Sequence, residues 1–193
     1  MNKILIIFQI LTKSIFKPKL VKNVLEERRQ SKENEDHKNH KYIYDFDSIE
    51  EFFKKIFPIE EVNEVELEEL ELHVEQNLKK LKNEKYPSKK KPYPTDYSIN
   101  SDSRKFLYCL CRILKPKNVI ETGVAYGIST SFILQALEDN KFGKLYSIDS
   151  IFRPWQTEEM IGSIIPKKLK SKWELIIGKS TEKLENISNE VKD

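Results

Sequence analysis

Val119-Ile120-Glu121-Thr122-Gly123-Val124-Ala125-Tyr126-Gly127-Ile128-Ser129-Thr130 decides how the second half of this chain folds. A short apolar run ends in an acid and a glycine, and a helical spacing of apolar residues begins five positions later. Strand, glycine turn and helix in that order let backbone N–H groups approach a ligand at a helix N-terminus. Gly123 permits the tight turn, and Gly127 is expected to remove a side chain where a ligand passes. Asp149 stands 28 residues after Glu121, at the end of the next apolar run. A carboxylate at that strand end can accept both hydroxyls of a ribose. The plainer reading is an ordinary βα turn whose strand-end acid caps something. Two glycines, two acids and the strand context together favour the ligand.

The surrounding segments supply the rest of an α/β pattern. Asn100-Ser101-Asp102-Ser103 offers N-cap candidates before Phe106, Leu107, Leu110, Ile113 and Leu114, and Lys115-Pro116 stops that helix. Asn118 to Glu121 is a first strand, Ile128 to Asp139 a helix, and Leu145 to Ile148 a second strand closed by Asp149. Trp173 to Ile177 is a third strand, and Leu184, Ile187 and Val191 sketch a last helix. A further helix is expected between the second and third strands. This alternation predicts a parallel sheet in the order third, second, first, with right-handed crossovers and helices on both faces.

The glycine pattern narrows the ligand. A dinucleotide fingerprint needs glycines at 123, 125 and 128, where this chain has Gly123, Ala125 and Ile128. A nicotinamide-dependent oxidoreductase is therefore disfavoured. A phosphate-binding loop fails as well, because Gly178-Lys179-Ser180 has Trp173 where its first glycine belongs. What remains is acid-x-Gly-x-x-x-Gly at the end of a first strand. This resembles motif I of the class I S-adenosylmethionine-dependent methyltransferases. Glu121 to Thr130, Leu134-Gln135-Ala136-Leu137 and Gly143 to Asp149 are similar to one small-molecule subfamily, labelled cephalosporin-hydroxylase-like or macrocin O-methyltransferase-like. Tyr93-Pro94-Thr95-Asp96, Ile165-Pro166, Leu169, Trp173 and Gly178-Lys179-Ser180 extend the likeness, which covers about residues 93–193.

The resemblance implies a Rossmann-like fold of about three strands and S-adenosyl-L-methionine as cofactor. It implies Glu121, Thr122, Gly123, Ala125, Gly127, Ser129, Asp149 and Ser180 as the residues that hold it. Ser129 would contact the methionine carboxylate, Asp149 the ribose, and Ser180 the adenine side. Family members continue into a fourth strand with a His-Asp-Ser-like segment that carries catalytic or metal-binding residues. The expectation is therefore a cofactor-binding half whose acceptor half is absent, a fragment or one chain of a two-chain enzyme. No catalytic residue can be named. The implied reaction is O- or N-methylation of a small molecule. The alternative is a non-catalytic Rossmann-like module that binds a nucleoside ligand or a partner chain at its free sheet edge, including a second copy of itself.

Residues 1–92 read as a mainly helical region with no family likeness. Ile4, Ile7, Phe8, Leu11 and Ile15 suit a helix, and residues 26–41 are a polar linker or an exposed helical continuation. Ser48 with Glu51 forms a capping box before Phe52, Phe53 and Ile56. Glu60 to Lys82 repeats Val62, Val65, Leu67, Leu70, Leu72, Val74, Leu78 and Leu81 among glutamates, one amphipathic helix expected to cover the edge of the first strand.

Composition bounds the remaining possibilities. The 193 residues make one ordinary domain, or a small domain with an extension. Lys+Arg 34 against Asp+Glu 31 gives +3, and no global field points to nucleic acid. Eight acids from Glu60 to Glu75 and seven lysines from Lys79 to Lys91 read as solvated runs. Cys109 and Cys111 lie two apart on a helix, too divergent to bridge, and are expected to be reduced thiols in a cytoplasmic protein. The apolar run Ile4 to Leu11 is far short of the ~20 residues of a membrane span. His37 and His40 have metal-like spacing but no further ligand nearby, so no metal is expected. Trp155 either shelters an adenine or packs in its loop.

Overall fold

Three strands form one parallel sheet in the order β1-β2-β3, with β1 at Asn118–Thr122, β2 at Lys144–Asp149 and β3 at Trp173–Ile177. The computed structural model describes residues 63–95 and 98–191, together with Lys22, Leu25, Glu26, Arg29 and Lys55. Val119 pairs with Leu145 and Leu145 with Trp173, both parallel, so the expected strand order and direction hold.

Helices α1 (Glu64–Lys82) and α2 (Ser101–Leu114) precede the sheet, α3 (Ile128–Asp139) joins β1 to β2, and α4 (Ser180–Glu190) follows β3. The N-cap of α2 is Asn100, whose Oδ1 accepts from Ser103 N at 2.8 Å. Lys115 closes that helix in the left-handed conformation, φ 44°, before Pro116. Nine residues of α3 are buried, which marks it as the central helix of its layer. The main apolar cluster holds Leu145 of β2 together with Phe132, Leu134 and Leu137 of α3. Ile148, of opposite parity on the same strand, is 1% exposed yet lies outside that cluster, as does the buried Ile187 of α4. Side chains alternate across a strand, so α3 and α4 cover opposite faces.

Between β2 and β3 the expected helix is replaced by two 3₁₀ segments, Glu158–Met160 and Lys167–Lys172. Pro154, Gly162 and Pro166 interrupt the stretch too often for a longer α-helix to propagate.

The amphipathic helix of the first half is α1, and it covers a different surface from the strand edge assigned to it. Its buried stripe is Leu67, Leu70, Val74 and Leu78, which joins the cluster containing α3 and Ile161, Ile164 and Ile165. Asn63 caps it, accepting from Glu66 N. Arg104 of α2, 4% exposed, fastens it beside that stripe by donating to Glu71 Oε1 and Glu75 Oε1, each at 2.8 Å. His73 Nε2 lies 2.8 Å from the carbonyl of Ile164. Residues before and after position 92 thus share one core. The helix read over residues 1–25, the capping box at Ser48, and His37 and His40 lie outside the described residues, although Lys22, Leu25, Glu26 and Arg29 are helical.

Candidate functional site

The ends of the three strands are tied by main-chain contacts. Gly123 N donates to the Ile148 carbonyl and Gly178 N to the Asp149 carbonyl, both at 2.9 Å. The carboxyl ends of β1, β2 and β3 therefore open together on one side of the sheet, where ligands of open α/β folds bind. A cleft of about 540 Å³ lies there. Thr122, Gly123, Ile148, Asp149, Ser150, Phe152 and Gly178 to Glu182 line it, with Lys22, Glu26 and Arg29 on the outer side. An adjoining lobe of about 310 Å³ runs past Ile151 and Ile177.

Of the eight residues proposed from the sequence, Thr122, Gly123, Asp149 and Ser180 line this cleft together. Glu121, Ala125, Gly127 and Ser129 stand behind it and shape it. Gly123, at φ 81°, has open space where a side chain would project: a Cβ there meets nothing within 4 Å. Gly127, at φ 82°, differs. A Cβ there would come within 2.5 Å of Ile165 Cγ1 and 2.9 Å of the Gly162 backbone. The missing side chain at Gly127 makes room for the 162–165 segment rather than for a ligand. Gly162 N also donates to the Ala125 carbonyl at 2.8 Å, which fixes the same junction.

Asp149 is the organiser of the turn. Its Oδ2 accepts from Val124 N and Ala125 N, both at 2.8 Å, and its Oδ1 accepts from Ser150 N at 2.6 Å. This carboxylate holds Ala125 in its left-handed conformation, φ 47°. A carboxylate offers about four lone-pair sites, and three are engaged here. Room remains for one further donor, where the expected role needed two.

Glu121 faces the helix layer. Its Oε1 accepts from Ser129 Oγ at 2.6 Å, and its Oε2 accepts from Thr130 Oγ1 and Ser147 Oγ, each at 2.8 Å. Burial raises the Glu121 carboxyl above its ordinary range, against the three hydroxyls that favour its charged form. Trp173 Nε1 donates to Ser147 Oγ at 3.0 Å and extends the network to β3. The Ser129 hydroxyl, expected to meet a ligand, is thus bonded to Glu121.

Tyr126, within the turn, is braced by Tyr93, and both are buried. Tyr126 Oη donates to the Tyr93 carbonyl at 2.8 Å, and their rings meet edge to face at 5.2 Å. Burial pushes the Tyr126 hydroxyl up to about 12. Trp155 packs in its loop, its Nε1 donating to the Pro92 carbonyl at 3.1 Å.

Residues 120–192 match a family model described as a methyltransferase domain. The matched stretch is less than half of the chain and contains every residue of the turn and the strand ends. No curated protein matches. Among solved structures, the chain is similar to a Klebsiella pneumoniae protein assigned as an O-methyltransferase, with 18% identity over 70% of this chain and 51% of that one, TM-score 0.43. It is also similar to the SAH-bound Podospora anserina methyltransferase PaMTH1, with 16% identity over 76% of this chain and 56% of that one, TM-score 0.44. The chain thus spans about half the length of each.

Residues missed in the sequence are the polar ones beside the recognised motifs. Ser150 Oγ donates to the Gly178 carbonyl at 2.5 Å, joining β2 to β3 inside the cleft. Lys179 reaches across to Glu26. Ser150 follows Asp149 directly, so its place at the strand end was a usable signal. Glu26 carries none, because nothing local ties it to a turn 153 residues away. Among the described residues no group of His, Cys, Asp and Glu could hold a metal, and no helix is long and apolar enough to cross a membrane.

Proposed function

We propose that this chain binds S-adenosyl-L-methionine in the strand-end cleft and belongs to a methyltransferase that modifies an oxygen or nitrogen of a small molecule. The observation that carries the reading is Gly123. Its αL backbone and the free space at its Cβ position lie in a 540 Å³ cleft shared with Thr122, Asp149 and Ser180. That volume is within the range of small-molecule and cofactor sites, roughly 300–1,000 Å³. The match of residues 120–192 to a methyltransferase domain supports the same reading.

The donor set suits a nucleoside with a charged amino-acid tail. Asp149 retains an acceptor site for a hydroxyl, Ser180 brings a hydroxyl, and the glycine turn lets the ligand approach the main chain. Bound adenosylmethionine supplies a methyl group activated by its sulfonium. The protein's part is to align donor and acceptor and keep water away, because in-line transfer depends on proximity and orientation.

Calorimetric titration with adenosylhomocysteine tests the cofactor reading. Saturable binding by the parent is expected, with clear weakening in Gly123→Val, whose branched side chain occupies the open cradle. Absence of binding by folded parent overturns the reading. Methyl transfer from labelled cofactor to a panel of small alcohols, phenols and amines tests the second half. Binding without turnover over that panel would favour the non-catalytic module.

A further inference from the structure

The outer wall of the cleft comes from the far end of the sequence. Lys22, Glu26 and Arg29 are helical and all three line the cleft. Their spacing of four and three places them on one helix face. Leu25, three positions after Lys22 and four before Arg29, is 59% exposed. On that face Glu26 is the partly buried residue, while Lys22 and Arg29 are exposed at the rim of the cleft. Opposite stands Lys179, the N-cap residue of α4, directly after Gly178 at the end of β3. Glu26 and Lys179 form an ion pair across a separation of 153 residues. Lys179 also holds the Glu26 carboxyl below its ordinary range.

We propose that the Glu26–Lys179 ion pair docks the helical segment carrying Lys22, Glu26 and Arg29 as the outer wall of the cleft, and so sets the residence time of the ligand bound there. The role in residence time rests on the cofactor reading above; the docking itself does not. Glu26 is a positioning residue, acting on the cleft through Lys179. An exposed pair of this kind is modest and is screened by salt. Its loss should raise the ligand's dissociation rate by about two- to fivefold at low salt.

The test uses the full chain, with Glu26→Lys, Lys179→Glu and the charge-reversed double variant, each checked for parental melting. Amide hydrogen exchange of the peptide spanning positions 22–29, without ligand, reads docking. Displacement kinetics of adenosylhomocysteine read residence. Each single reversal should speed both exchange and dissociation, and the double variant should restore both. Where a reversal prevents folding, Glu26→Gln serves, with a smaller change of the same sign. Unchanged exchange in the single variants overturns the docking. Faster exchange with unaltered dissociation overturns the role in residence time. If folded parent does not bind adenosylhomocysteine, the cofactor reading fails and with it the residence-time role, while exchange decides the docking contact.

Discussion

Two glycines with the same backbone conformation do different work in the turn after β1. Gly123 and Gly127 have φ of 81° and 82°, so a side chain at either is strained by about 1–2 kcal/mol. Only Gly127 adds a collision, with Ile165 and the Gly162 backbone. Gly127→Ala should therefore lose more stability than Gly123→Ala, by a further ~1–3 kcal/mol of overpacking. Urea unfolding of the two variants checks the order. Glu121 gives a second residue-scale prediction. Its folded-state carboxyl is raised above the unfolded value of 4.5, chiefly by burial. Between those two values the native state binds more proton than the unfolded chain. The stability contributed is full below 4.5 and is lost as pH rises through the folded value. Parent protein should then gain stability relative to Glu121→Gln as pH falls from neutral toward 4.5, read from urea midpoints across that range. A relative loss on acidification would show that the three hydroxyls outweigh burial.

At the scale of elements, regular periodicity was legible and partner-dependent burial was not. Ile128–Asp139 and Trp173–Ile177 have the bounds read from their apolar spacing, because glycine and strand-end signals flank them. In α2 the apolar residues misled. Leu114 is 66% exposed, while Arg104, Tyr108 and Cys111 are buried. The polar ends of Arg104 and Tyr108 find partners in Glu71, Glu75 and Asp139, contacts that no local pattern announces. In α1 the valine and leucine run contained more apolar residues than one stripe can hold. Leu70 is 4% exposed, whereas Leu72, two positions on and turned away, is 60% exposed. Leu70→Ala should cost about 2–5 kcal/mol and Leu72→Ala within about 0.5 kcal/mol, measured by urea unfolding. Equal losses would mean that α1 packs in another phase.

Across the whole molecule, one core joins α1 to the sheet domain, so the fold is best read as a sheet with its helical layer extended by α1. The site divided in the same way. Thr122, Gly123, Asp149 and Ser180 were legible because strand ends and glycines mark them. The contribution of Lys22, Glu26 and Arg29 was hidden, since it depends on tertiary approach alone. The two thiols report on this shared core. Both are buried, which raises Cys109 and pushes Cys111 up to about 11. At neutral pH they stay protonated and shielded. Reaction with a disulfide reagent should be slow in native protein and reach both cysteines in denaturant. Rapid labelling of folded protein would show that α2 detaches readily.

The contact of Asp149 with the amides of Val124 and Ala125 has a consequence for ligand entry. The loop proposed to receive a guest is already held by a host side chain from the neighbouring strand. Ordering of that loop is completed when the chain folds, before any guest arrives. A nucleoside docking at these strand ends, as proposed, would therefore forfeit little affinity to loop immobilisation. On the proposed reading the floor of the cleft would serve as a ready template, and adaptation to different guests would fall to the wall opposite.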